Sequence, residues 1–162
     1  MVALLCMMVG GIVWYAERHG IRFLYDQHPQ LAAQVVQALA FYLAFAFLTT
    51  LYRELVKDCE DVEGDALTDQ HTLPVRLGLK KAGKWALLSG GLLVPALLFL
   101  AAYFYQTSNP WGATYTLILL LVPHLAGLVF LYQARKPADF RKVSGMAKWL
   151  IFAGVFLILF LP

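Results

Sequence analysis

The chain has 162 residues, 60% of them hydrophobic and 14% charged, with a net charge of +3 and a mean hydropathy of +0.66. So little polar surface excludes an ordinary soluble domain and points to a membrane protein, while the modest charge, with no basic stripe, excludes a nucleic-acid partner. Two cysteines, Cys6 and Cys59, exclude a disulfide framework and a Cys-based zinc site.

Five apolar runs follow one another, at about 1–16, 31–52, 85–106, 112–133 and 145–161. The first, "MVALLCMMVGGIVWYA", has no basic flank of the signal-peptide kind and falls short of the roughly 20 residues a span needs at about 1.5 Å each. It reads as a helix cut at its start, so the chain is expected to be a fragment of a longer protein. The others have full or nearly full spanning length, which predicts an all-α transmembrane bundle of about five spans.

The connecting segments alternate in charge. Segment 17–30 carries only Arg18 and Arg22, and "QTSNPWG" carries no basic residue. Segment 53–84 carries Arg53, Lys57, Arg76, Lys80, Lys81 and Lys84, and segment 134–148 carries Arg135, Lys136, Arg141, Lys142 and Lys148. Excess Lys and Arg marks the cytoplasmic side, so 53–84 and 134–148 are expected there, in an inner or plasma membrane. Trp14, Tyr15, Trp85, Trp111 and Trp149 fall near span ends, where interfacial aromatics sit. Pro95 and Pro123 fall inside spans and are expected to serve packing.

The second apolar run leads directly into "LYRELVKDCEDVEGDALTD", which holds seven of the ten acidic residues. If the helix continues, Glu54, Asp58, Asp61 and Asp65, spaced 4, 3 and 4 apart, share one face. Gly64 is expected to loosen or end the helix near Asp65. Like charges at this spacing repel, and a helix C-terminus disfavours acids, so the stripe is poorly chosen for stability alone. A divalent cation would reverse the sign. The EF-hand pattern fails, whereas Mg²⁺ takes one or two carboxylates and shares its remaining ligands with a substrate phosphate. A solvated acidic loop is the alternative. Arg76, Lys80 and Lys81 in "HTLPVRLGLKKAGKW" supply phosphate-binding cations, though topology alone also accounts for the lysines. His71 reads more as an ordinary loop histidine than as a base.

"RELVKDCEDVEGD" followed by "HTLPVRLG" resembles the second Asp-rich motif of the UbiA superfamily of intramembrane prenyltransferases. The matching residues are Arg53, Glu54, Lys57, Asp58, Asp61, Glu63, Gly64, Asp65, Thr72, Leu73, Pro74 and Gly78. The string is most similar to the geranylgeranylglycerol-phosphate geranylgeranyltransferase-like branch. The resemblance implies a nine-span bundle of which residues 1–162 correspond to spans 5 to 9, with 53–84 as the cytoplasmic active-site segment. It implies Mg²⁺ held by Asp58, Asp61, Asp65 and Glu54, and a prenyl diphosphate bound by Arg53, Lys57, Arg76 and Lys80. The acceptor would be hydroxyl-bearing or aromatic, with the bilayer housing the isoprenoid. Tyr42, Phe45 and Tyr52 are candidates to face an allylic cation. The first Asp-rich motif of the family is absent from these residues. The chain alone is therefore weighed as a non-catalytic partner of a missing N-terminal half, and a transporter with an acidic gate as a further alternative.

Overall fold

The second apolar run and the acidic stretch form one continuous helix. The computed structural model describes residues 29–160, and in it α1 runs Pro29–Leu67, 39 residues. Gly64 does not end it. The Thr68 N–H and hydroxyl both donate to the Gly64 carbonyl, at 3.1 Å each, and carry the helical path past the glycine. The stop comes at Asp69, whose φ of 55° is a left-handed conformation that Asp tolerates better than most residues.

The short helix α2, Leu73–Leu77, starts after an extended Thr72 with Pro74 in its first turn, where the missing N–H costs nothing. Gly78 then turns the chain into α3, Leu79–Gln106, with φ 83° and ψ 151°. That region is nearly closed to residues with a Cβ. Gly78→Ala is therefore expected to destabilise the fold by about 1–3 kcal/mol. The thermal unfolding midpoint checks this, and an unchanged midpoint would contradict it.

One face of α3 is buried at helical spacing: Ala82, Ala86, Ser89, Leu93, Leu97 and Phe104. Its small residues lie toward the N-terminal end, where they let neighbouring backbones come close. α3 packs against α4, Pro110–Tyr115, and against α5, Val122–Gln133. Between these two lies a π-helical segment, Thr116–Leu121. Pro123 has no N–H, and its ring crowds the carbonyl four residues back, at Leu119; the wider turn accommodates both. α6, Pro137–Val155, packs on α5 and ends in a 3-10 segment, Phe156–Phe160. Asn109 and Tyr115 donate to the carbonyls of Phe160 and Ala153, at 2.8 Å each, and fix that end.

Residues 1–47 and 48–162 are two compact units. The described part of the first is the apolar beginning of α1, in which Phe45 is buried and Tyr42 half-buried. The second contains the acidic end of α1 and all later helices.

All described residues of the four later apolar runs are helical, and no strand occurs among the described residues. Leu79–Gln106 and Pro110–Gln133 are long and apolar enough to cross a membrane. Their outer faces expose Leu92, Phe99, Ile118, Val122 and Val129, which a hydrocarbon solvent would cover. The first run, the segment with Arg18 and Arg22, and Cys6, Trp14 and Tyr15 lie outside the described residues.

Candidate metal and diphosphate site

The end of α1 has two faces. Thr49, Tyr52, Val56 and Cys59 are buried. Glu54, Asp58, Asp61 and Asp65 centre about 170° away at 100° per residue. The acids thus point away from the packing seam. Glu54 is exposed and the three aspartates are half-buried.

The basic residues on this helix hold specific acids. Arg53 pairs with Glu54. Lys57 Nζ lies 2.8 Å from the Asp61 carboxylate and 3.5 Å from that of Glu60. Its hydrogen bond to Asp61 raises the ammonium pKa above the ordinary lysine value. Glu60 leaves the acidic stripe and also meets Arg141 Nε of α6 at 3.5 Å. Sequence reasoning missed this tie, since nothing in the local pattern links residues so far apart. Arg141→Gln is expected to lower the unfolding midpoint only slightly, in line with the ~0–1 kcal/mol of a long pair whose arginine is solvent-exposed. A large loss would show that the tie is structural.

Asp58 and Asp65 have no basic side chain within ion-pair distance among the described residues. Burial raises the Asp58 carboxyl pKa above the usual aspartate value, and the charges of Asp65, Glu54 and Asp61 raise it further. The result is a concentration of negative charge that Arg53 and Lys57 balance only in part, with Asp58 and Asp65 left unpaired with a cation among the described residues. Hard carboxylate oxygens on one accessible face suit Mg²⁺ as part of a ligand set. They form a line along a helix rather than a cup, and no three His, Cys, Asp or Glu residues among the described residues converge as a metal cluster.

Cys59 faces inward, and burial pushes its thiol up to about 12, which makes it inert. His71 and Arg76 are exposed beyond the acidic helix. Lys80 lines a cleft whose lining residues include no acid. The one described acid beyond the cluster, Asp139, accepts from the backbone N–H groups of Arg135 and Lys136 at 2.9 and 3.0 Å. Those bonds hold its carboxyl below the usual aspartate value, a helix-starting role.

Tyr52, expected as an aromatic face toward a cation, is instead enclosed. It is 1% exposed, and its ring meets the His124 ring edge-on at 5.3 Å. His124 was also missed. It is buried, with Nε2 2.8 Å from the Gly90 carbonyl oxygen. A titratable residue inside an apolar run was the signal available for it.

The UbiA prenyltransferase family profile matches residues 2–160. The chain is 37% identical over 90 residues to a digeranylgeranylglyceryl phosphate synthase of Methanosphaera stadtmanae, covering 56% of this chain and 30% of that protein. It is 35% identical over 114 residues to the Methanosarcina mazei synthase, covering 69% and 38%. With the Thermococcus onnurineus synthase it shares 36% over 121 residues, covering 72% and 41%. The chain thus spans roughly a third of the length of the curated relatives it matches. No solved structure matches.

Proposed function

Because the chain belongs to the UbiA prenyltransferase family, we propose that the acidic face of α1 seats magnesium and a prenyl diphosphate for transfer to a glycerol-phosphate lipid. The observation that carries this is the unbalanced charge around Asp58, on a face turned away from the packing seam. The synthase names of the relatives favour geranylgeranyl as the group transferred and a glycerol-phosphate lipid as acceptor.

Transfer breaks the bond between the allylic carbon and the diphosphate oxygen, which departs with the electron pair. The same carbon then bonds the acceptor hydroxyl oxygen, whose proton passes to the departed diphosphate. Bound magnesium supplies charge neutralisation to the departing diphosphate. Asp58, Asp61 and Asp65, with Glu54 at the near end, would supply the metal's carboxylates, acids one helical turn apart sharing an ion. Lys57 fixes the orientation of Asp61 through their 2.8 Å contact. Arg53 and Arg76 offer cations to phosphate oxygens. The apolar helices take the isoprenoid tail and keep water from the reacting carbon.

One observation favours a second reading, in which this chain alone is inactive: the acids form no three-residue cluster among the described residues. Both readings are tested by assaying the 162-residue chain alone and paired with the N-terminal part of the Methanosphaera relative. Labelled geranylgeranyl diphosphate is supplied with glycerol-phosphate and aromatic acceptors. Mg²⁺-dependent labelling of the glycerol-phosphate lipid by the pair is expected. Labelling of aromatic acceptors alone would overturn the acceptor, and turnover by the single chain would overturn the second reading.

The raised Asp58 carboxyl pKa has a pH consequence. Its protonated form is a poor ligand, so metal affinity falls as pH drops through a value above the ordinary aspartate range of about 3.9. Mn²⁺ binding measured against pH checks this, and a midpoint at or below that range would contradict it.

A further inference from the structure

A cleft of about 550 Å³ opens where the start of α3 meets the end of α5 and the start of α6. Leu79, Leu87, Leu131 and Phe140 make its walls apolar, and Lys80, Lys84 and Arg135 bring three cations to it. None of its lining residues is acidic. Arg135 Nη1 donates to the carbonyls of Tyr132 and Ala134, which pins the guanidinium over the helix end and leaves Nε and Nη2 for an anion. The nearby negative charge, Asp139, is occupied by the N–H groups of Arg135 and Lys136.

A second, shallower groove of about 410 Å³ shares Lys84 and Leu87 with this cleft and continues along α3 past Leu88, Gly91 and Leu92. Its walls are apolar apart from Lys84. Gly91 has nothing within 4 Å of where a Cβ would stand, so the groove floor is open there. Tyr132, which lines the cleft, and Trp85, next to Lys84 in the chain, are both exposed, as aromatics at the headgroup level of a bilayer are. A charged pocket that runs into an apolar trough fits an amphiphile with an anionic head.

We propose that this cleft and groove bind an anionic membrane phospholipid. Its phosphate sits among Lys80, Lys84 and Arg135, and one hydrocarbon chain lies along Leu87, Leu88 and Leu92. The site contains none of Asp58, Asp61 or Asp65, so it is separate from the proposed metal site and stands or falls independently of the prenyl-transfer reading. Three cations over apolar walls favour a phosphate with a tail over free phosphate, which would gain nothing from the groove.

The test is native mass spectrometry of the 162-residue chain in detergent, titrated with phosphatidylglycerol, phosphatidylcholine or inorganic phosphate. The wild-type chain is expected to retain one phosphatidylglycerol and to prefer it over phosphatidylcholine. The double variant Lys84→Gln/Arg135→Gln should bind it about thirtyfold more weakly. The charge-keeping variant Lys84→Arg/Arg135→Lys should retain it, which separates lost charge from lost fold. Lys148→Gln, a cation outside the cleft, should leave it unchanged. Equal retention of both lipids, unaltered binding in the double variant, loss of binding in the charge-keeping variant, or displacement by millimolar phosphate would each overturn the proposal.

Discussion

Replacing Asp58 by Asn is expected to reduce Mg²⁺-dependent prenyl transfer by roughly 10²- to 10³-fold, the scale for losing one electrostatic partner of a reacting group. The same change is expected to raise the unfolding midpoint. The sign follows from the environment of the carboxylate. Burial and three neighbouring acids raise the Asp58 pKa, so its charged form is held at a cost in the folded chain. The stability of a group with a raised folded pKa is greatest below the ordinary aspartate value and is lost as pH rises through the raised one. At neutral pH Asn removes that cost. Opposite movements of activity and stability mark a residue kept for function. A variant that loses both would make Asp58 a structural residue. The assay uses the chain paired with the N-terminal part of a relative, and the melting experiment uses the chain alone at pH 7 and pH 5.

Gly90→Val is expected to destabilise the packed helices by overfilling the contact between α1, α3 and α5. A Cβ at Gly90 would stand 2.7 Å from Leu128 Cδ2 and 2.8 and 2.9 Å from two atoms of the Tyr52 ring. The leucine methyl can swing away. Tyr52 has no such freedom, being 1% exposed and set against His124. Relief then requires α1 and α3 to separate, which also pulls the Tyr52 ring from its edge-on contact with His124, whose Nε2 stays tied to the Gly90 carbonyl. Overpacking of this kind costs about 1–3 kcal/mol. Thermal melts of Gly90→Val, Tyr52→Leu and the double variant check it. The smaller Leu should recover part of the loss, so the two changes should be non-additive. Additive effects, or an unchanged midpoint in Gly90→Val, would contradict the contact. Since Gly90 and Asp58 act on different faces of α1, Gly90→Val should keep its metal binding below its melting temperature.

The helices were legible in the sequence because their apolar runs are long and bounded by charge. The acidic stripe was legible for the same reason that helices show periodicity: a spacing of 4, 3 and 4 has one interpretation once the helix is assumed. The contact of Lys57 with Asp61 follows from that spacing as well. What was not legible depends on other helices. The seam of Thr49, Tyr52, Val56 and Cys59 mixes polar and apolar residues, so only the packed structure distinguishes it from a lining face. That is why Tyr52 looked available to a substrate when it is enclosed. The link from Glu60 to Arg141 joins distant parts of the chain, and the partner of His124 is a backbone carbonyl that no side-chain pattern reveals. Gly64 misled in the other direction. Its low helix propensity is worth only about 1 kcal/mol, too little to stop a helix whose next hydrogen bonds are available. The stop fell instead at Asp69, where the backbone turns left-handed.

The position of the acids explains why a membrane chain concentrates its charge in one place. Glu54, Asp58, Asp61 and Asp65 occupy a face that the buried side of α1 does not need, and Lys57 and Arg53 hold only part of that charge. Two charged surfaces of opposite sign result, the acidic face of α1 and the cation-lined cleft between α3, α5 and α6. The first suits a diphosphate shared with a metal, and the second a lipid phosphate.

The most direct test of the central claim is electron paramagnetic resonance of Mn²⁺, in place of Mg²⁺, on the chain paired with the N-terminal part of a relative and supplied with geranylgeranyl diphosphate. The bound Mn²⁺ is expected to show coupling to phosphorus, and that signal is expected to vanish in Asp58→Asn/Asp61→Asn. Mn²⁺ bound with the same phosphorus coupling in the double variant would show that the acidic face of α1 does not seat the metal and diphosphate.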